Sequence, residues 1–125
     1  MKLIRIIAAA SEAVAPNPKR PATATLHDSP DLRLVVFRLA AGQSVPPHRS
    51  VSTVALTAIS GEGFVLGGDE ERTITAGETV VFEPNELHGM RAAGSELVLL
   101  ATITPRPGDR STVRVEPNAE SAGVS

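Results

Sequence analysis

An all-β barrel or sandwich is the fold class this sequence predicts, on three observations. Turn signals recur at roughly the 8–12-residue spacing of small β domains. The segments between them are rich in Val, Ile, Thr, Leu and Phe. After Pro16 no segment keeps a 3.6-residue apolar period over ten residues, which speaks against alternating strands and helices. The 125 residues make one domain.

The elements follow in order. Residues 2–7 alternate and hold three isoleucines, which predicts an edge strand. Residues 8–15 read as one or two helical turns ended by Pro16. Pro16 to Pro21 carries three prolines, which cannot join a sheet interior and predict a stiff extended linker. His27-Asp28-Ser29-Pro30 reads as a polar turn. Residues 32–39 are a strand, and Gly42 to Pro47 a turn with two prolines. Residues 53–59 are a strand, Ser60-Gly61-Glu62-Gly63 a hairpin turn and residues 64–66 a strand. Gly67-Gly68-Asp69-Glu70 is a tight turn. Short strands are expected at 73–75 and 79–82, with Ala76-Gly77-Glu78 turning between them. Pro84-Asn85-Glu86 turns into a strand at 87–91, and residues 96–104 form the last long strand. Residues 111–115 offer a further edge strand, and 116–125 are expected to be disordered. The organisation is therefore an N-terminal strand and proline-rich arm (1–21), a barrel (22–104) and a partly disordered C-terminal tail (105–125).

Composition excludes several functions. Cysteine is absent, so no disulfide framework, thiolate metal site or thiol nucleophile exists. Lys and Arg total 12 against 14 Asp and Glu, a net charge of −2. That is the wrong sign for neutralising phosphates, and three Phe with no Trp or Tyr make a poor stacking platform, so no nucleic-acid partner is expected. No apolar run approaches the roughly 20 residues that span a bilayer. The N-terminus has the flavour of a secretion signal, but Arg5 interrupts its apolar stretch and Glu12 precedes the candidate cleavage site. The expectation is a cytoplasmic protein without a membrane partner. Gly67-Gly68-Asp69-Glu70 and Gly61-Glu62-Gly63 superficially copy nucleotide-enzyme loops. Neither has the structural context such loops need.

Three histidines remain as candidate chemistry: His27, His48 and His88. Two sit in a specific pattern. Gly42 is followed by five residues and His48, with Ser50, Val54 and Gly61 downstream. Gly77 is followed by Pro84, Asn85, His88 and Ala92. In this spacing residues 42–92 resemble the two motifs of the cupin superfamily, and the resemblance extends over roughly residues 30–104. It implies a double-stranded β-helix, or jelly-roll, barrel of the RmlC-like type with both motif histidines pointing into its mouth. Family enzymes hold a metal with two His and a Glu from the first motif and a His from the second. Here His48 and His88 match, while Ser50 stands at the second His position and Val54 at the Glu position. Pro84 lies one place late, Asn85 replaces a glycine and Ala92 an asparagine.

Two imidazoles plus water or substrate form a weak set for zinc, nickel, iron or copper. Catalytic zinc ordinarily takes three protein ligands, and non-haem iron two His and a carboxylate. The preferred expectation is a small-molecule-binding cupin. Its pocket would be built from His48, Ser50, Val54, Phe82, His88 and Met90, with Phe37, Leu56 and Phe64 as further walls. The alternative is a metal-dependent cupin enzyme of dioxygenase or isomerase type, with the metal on His48 and His88. Whether the protein is an enzyme at all stays open at this point. Parity places His48, Ser50 and Val54 on one strand face, and His88 with Met90 on another. Gly61, Gly77 and Asn85 are expected to take left-handed backbone angles. His27 is expected to face solvent, and Glu83 and Glu86 to be solvated rim charges. The resemblance further implies a homodimer, paired through the apolar segment 3–7.

Overall fold

The structure, a computed structural model, describes residues 1–107. The expectations for 111–115 and 116–125 lie outside the described residues. A short helix, α1 (Ile6–Glu12), precedes nine strands: β1 (Ala22–Ser29), β2 (Leu32–Leu39), β3 (Ser44–His48), β4 (Thr53–Ser60), β5 (Glu62–Gly67), β6 (Glu70–Thr75), β7 (Thr79–Phe82), β8 (His88–Ala92) and β9 (Leu97–Thr104). They form two antiparallel sheets, ordered β1-β2-β9-β4-β7 and β3-β8-β5-β6. This is the jelly-roll double-stranded β-helix that the cupin resemblance implies.

Period-2 alternation builds the core. Along β4, Val54, Leu56 and Ala58 are buried while their neighbours are less so. Leu97, Leu99, Ala101 and Ile103 of β9 share that interior with Val35, Phe37 and Leu39 of β2. The burial of Val36 and Val98, out of phase with this alternation, has a separate cause. Both face outward and are covered by α1, with Ala10 packed against them. Arg38 Nη1 donates to the Ala10 carbonyl at 2.6 Å and fastens the helix.

Four expectations need correction. Residues 2–7 form no strand: the chain enters α1 at Ile6. The apolar residues serve a helix face on the sheet, and alternation over six residues cannot separate the two. His27 lies within β1 rather than in a turn, half-buried. Its Nδ1 accepts from Lys2 Nζ at 3.1 Å, and its Nε2 bonds Ser29 Oγ at 3.1 Å. Residues 44–48 are a strand despite Pro46 and Pro47. β3 is an edge strand whose register with β8 breaks between Val45 and His48, so the missing N–H groups are not required there. Gly61 does not close a hairpin, because β4 and β5 belong to different sheets. Its backbone turns at φ +82, and an added Cβ would run into the Glu96 carbonyl oxygen. By contrast β5 and β6 do pair as a hairpin around Gly68.

Candidate functional site

The site begins with register. His48 on β3 lies opposite His88 on β8, and His88 lies opposite Gly67 on β5, which pairs in turn with Glu70 on β6. Neighbouring strands sit about 4.8 Å apart, so His48, His88, Gly67 and Glu70 form one transverse row across the inner face of the smaller sheet. The next row is Val45, Met90, Val65 and Arg72.

His48 and His88 are both buried, with 8% and 2% exposure. Their ring centroids are 4.4 Å apart and tilted by 58°. Phe82 reaches over from β7 in the facing sheet and stacks on His88, with centroids at 4.7 Å and planes 22° apart. Each imidazole is held from behind by backbone. His48 Nδ1–H donates to the Pro46 carbonyl at 3.0 Å, and His88 Nδ1–H to the Glu86 carbonyl at 3.2 Å. A neutral ring carries one proton, so this anchoring makes each Nε2 an acceptor. Nε2 of His88 is buried with no hydrogen-bond partner among the described residues.

Protonation is disfavoured at both rings. Burial pushes His88 down to about 4, with repulsion from His48 acting the same way. The Glu86 carbonyl and carboxylate pull in the opposite direction and are outweighed. Burial also lowers His48, against its hydrogen bond to the Pro46 carbonyl. Two imidazoles in contact and out of water are neutral bases.

The remaining expected residues are placed as follows. Ser50 is buried but lies in the link between β3 and β4, off any strand, and its Oγ accepts from the Ser52 N–H at 3.1 Å. Val54 is fully buried in the core. Strand parity does not place Ser50, since β3 ends at His48, whereas Val54 lies on β4 opposite Phe82, the residue that stacks on His88. Met90 does share a face with His88. Phe37, Leu56 and Phe82 belong to the packed core. Phe64 does not: it faces outward, half-buried, with the Arg91 guanidinium 4.2 Å above its ring. Glu86 is half-buried rather than a solvated rim charge, and its Oε1 accepts from the Glu83 N–H at 3.0 Å. The carbonyls of Pro46 and Glu86, which fix both tautomers, escape sequence reasoning because any residue supplies a carbonyl.

The segments adjoining the pair are tied together. Asn85, at φ +68 as expected, donates its N–H to the Ser50 carbonyl at 2.6 Å, and Arg49 Nη1 donates to the Asn85 carbonyl at 2.7 Å.

As a metal centre the donor set is short. Among the described residues no group of three or more His, Cys, Asp or Glu is placed to hold an ion. Val54 supplies no charge to offset a dication. The residues present do not fit a tightly held catalytic zinc or iron.

No curated protein sequence matches the chain significantly. Solved structures do. An RmlC-like cupin protein from Desulfovibrio desulfuricans is 29% identical, with a TM-score of 0.72 over 84% of this chain and 97% of that one. An uncharacterised double-stranded β-helix protein from Klebsiella pneumoniae is 23% identical, with a TM-score of 0.70 over 77% and 86%. The DMSP lyase DddQ from Ruegeria pomeroyi is 23% identical, with a TM-score of 0.64 over 72% of this chain and 48% of that one. The last two likenesses concern the fold alone. The model of the cupin domain matches residues 35–104, more than half of the chain and the stretch that carries both histidines. With the two-sheet topology and the facing imidazoles, that match makes this chain a member of the cupin family.

Proposed function

We propose that this cupin binds a small molecule through its imidazole pair, and that the ligand presents an N–H or O–H donor to Nε2 of His88. One observation carries the reading. A buried acceptor without a partner costs about 1–3 kcal/mol, and the Glu86 carbonyl prevents the ring from escaping that cost by changing tautomer. A donor-bearing ligand removes the penalty on binding. Phe82, Met90 and Val54 supply apolar contact, and Ser50 is a buried hydroxyl in the link between β3 and β4.

The test is a side-chain ¹⁵N spectrum of the histidines, recorded while donor-bearing and donor-free fragments of equal size are added. Donor-bearing fragments should shift Nε2 of His88 and lose their effect in His88→Leu. Equal binding to the wild type and to a His48→Leu/His88→Leu double variant would overturn the reading. The competing reading is a metal on His48 and His88, completed by water or substrate as in a dioxygenase or isomerase. Less than about one tenth of an equivalent of transition metal after tag-free purification, with no thermal shift on adding zinc, nickel, iron or copper, sinks it.

We also propose a homodimer. Its support is the exposure of Leu3, Ile7 and Val14 in the N-terminal segment.

A further inference from the structure

β6 and β7 are both terminal strands of their sheets, so the sandwich is open along that side. A cleft of about 200 Å³ occupies the opening. An engineered apolar cavity of about 150 Å³ is large enough for benzene, so this cleft takes a molecule of comparable size. Its floor is apolar: Val65, Val80 and the Phe82 ring.

The absence of a side chain at Gly67 keeps the cleft open. A Cβ there would come within 3.2 Å of Phe82 Cε1 and 3.3 Å of Glu86 Oε2. Gly67 therefore marks the point where the aromatic ring and the carboxylate converge. The charges around the cleft are not balanced. Arg72 is taken by Glu70 at 2.7 Å. Glu86 is half-buried, spends Oε1 on the Glu83 N–H, and enters no ion pair among the described residues. A half-buried carboxyl group with no cation beside it among the described residues leaves Oε2 open to an N–H donor entering the cleft.

The geometry points to a binding site for a small organic ammonium ion in the β6–β7 cleft, its charge on the Glu86 carboxylate beside Gly67 and its alkyl part on Val65, Val80 and Phe82. The site uses neither imidazole but shares the Phe82 ring with the histidine pocket; His88→Leu removes the proposed acceptor of that pocket and keeps the Glu86 carboxyl, so butylammonium binding in that variant separates the two readings. A charge-assisted N–H···O contact gives the preference for a cation, and the aromatic wall adds to it.

The experiment is a backbone amide NMR titration of the full chain with butylammonium, butanol and butyrate. Butylammonium should shift the amides of Gly67, Arg72 and Val81 saturably, and the other two should bind at least about tenfold more weakly. Glu86→Gln keeps the Oε1 acceptor and removes the charge, so it should weaken butylammonium about tenfold while leaving butanol unchanged. Gly67→Ala should weaken the response by pushing the Phe82 ring and the Glu86 carboxyl apart; both neighbours are side-chain ends that can yield, so the fold survives. Equal binding of all three probes, an unchanged affinity in Glu86→Gln, or butylammonium shifts confined to other residues each overturn the proposal.

Discussion

His88 shows most directly how one residue's surroundings set its chemistry. The same burial that leaves its Nε2 without a partner also holds the ring neutral. The unfolded chain titrates near 6.5 and the folded one at about 4. Between those values the unfolded state binds the proton and the folded state does not, so stability falls as the pH drops through that window and levels off below it. The contribution of His88 is on the order of 3 kcal/mol, and His48 adds in the same direction. Urea midpoints measured from pH 7.5 to 4 should decline in the ligand-free protein, and the decline should shrink in His88→Leu. An identical slope in that variant contradicts the assignment. The sequence made the pairing of His48 with His88 legible because two motif spacings converge on it. It could not place Ser50 by strand parity, since β3 ends at His48 and Ser50 lies in the link to β4.

Among the elements, the turns separate two reasons for a glycine. Gly61 and Gly77 both have positive φ, at +82 and +94. A Cβ at Gly77 meets nothing within 4 Å, whereas one at Gly61 collides with the Glu96 backbone. Gly77→Ala should therefore cost only the backbone penalty of about 1 kcal/mol. Gly61→Ala should cost several times more, because two backbones must part. Thermal denaturation of the two variants decides it, and equal losses would mean that the Glu96 contact yields freely. From sequence the two glycines look alike, since both sit between strand-like runs. Both links cross from one sheet to the other; what distinguishes the two is the Glu96 backbone packed against Gly61, which has no counterpart at Gly77. Alternating strands such as β4 were legible from their own residues. β1 and β3 were not, one carrying threonines on its inner side, opposite Phe37 and Val35, and the other holding two prolines.

At the scale of the whole molecule, α1 acts as a lid on the outer face of the larger sheet. Removing residues 1–16 uncovers Val36 and Val98, which are 0% and 3% exposed with the helix in place. The loss should be roughly 3 kcal/mol from the apolar area alone, seen as a lower denaturation midpoint. The proposed homodimer predicts monomers from the same truncation in light scattering, and a dimer unchanged by it refutes that route. No helix among the described residues is long and apolar enough to cross a membrane.

The order of strands in the sheets also bears on how fast this protein reaches its native state. Only β1–β2 and β5–β6 join chain neighbours within one sheet; every other link between the described strands passes between sheets. Few contacts are local, and such high contact order places refolding in the range of about milliseconds to seconds. The β1–β2 and β5–β6 hairpins each close a loop of two residues and are suited to form early. His48 and His88 come from strands far apart along the chain, so their encounter belongs to the late, rate-limited part of folding. A stopped-flow experiment following a tryptophan placed at Phe64 against one placed at Phe82 would time the two events separately.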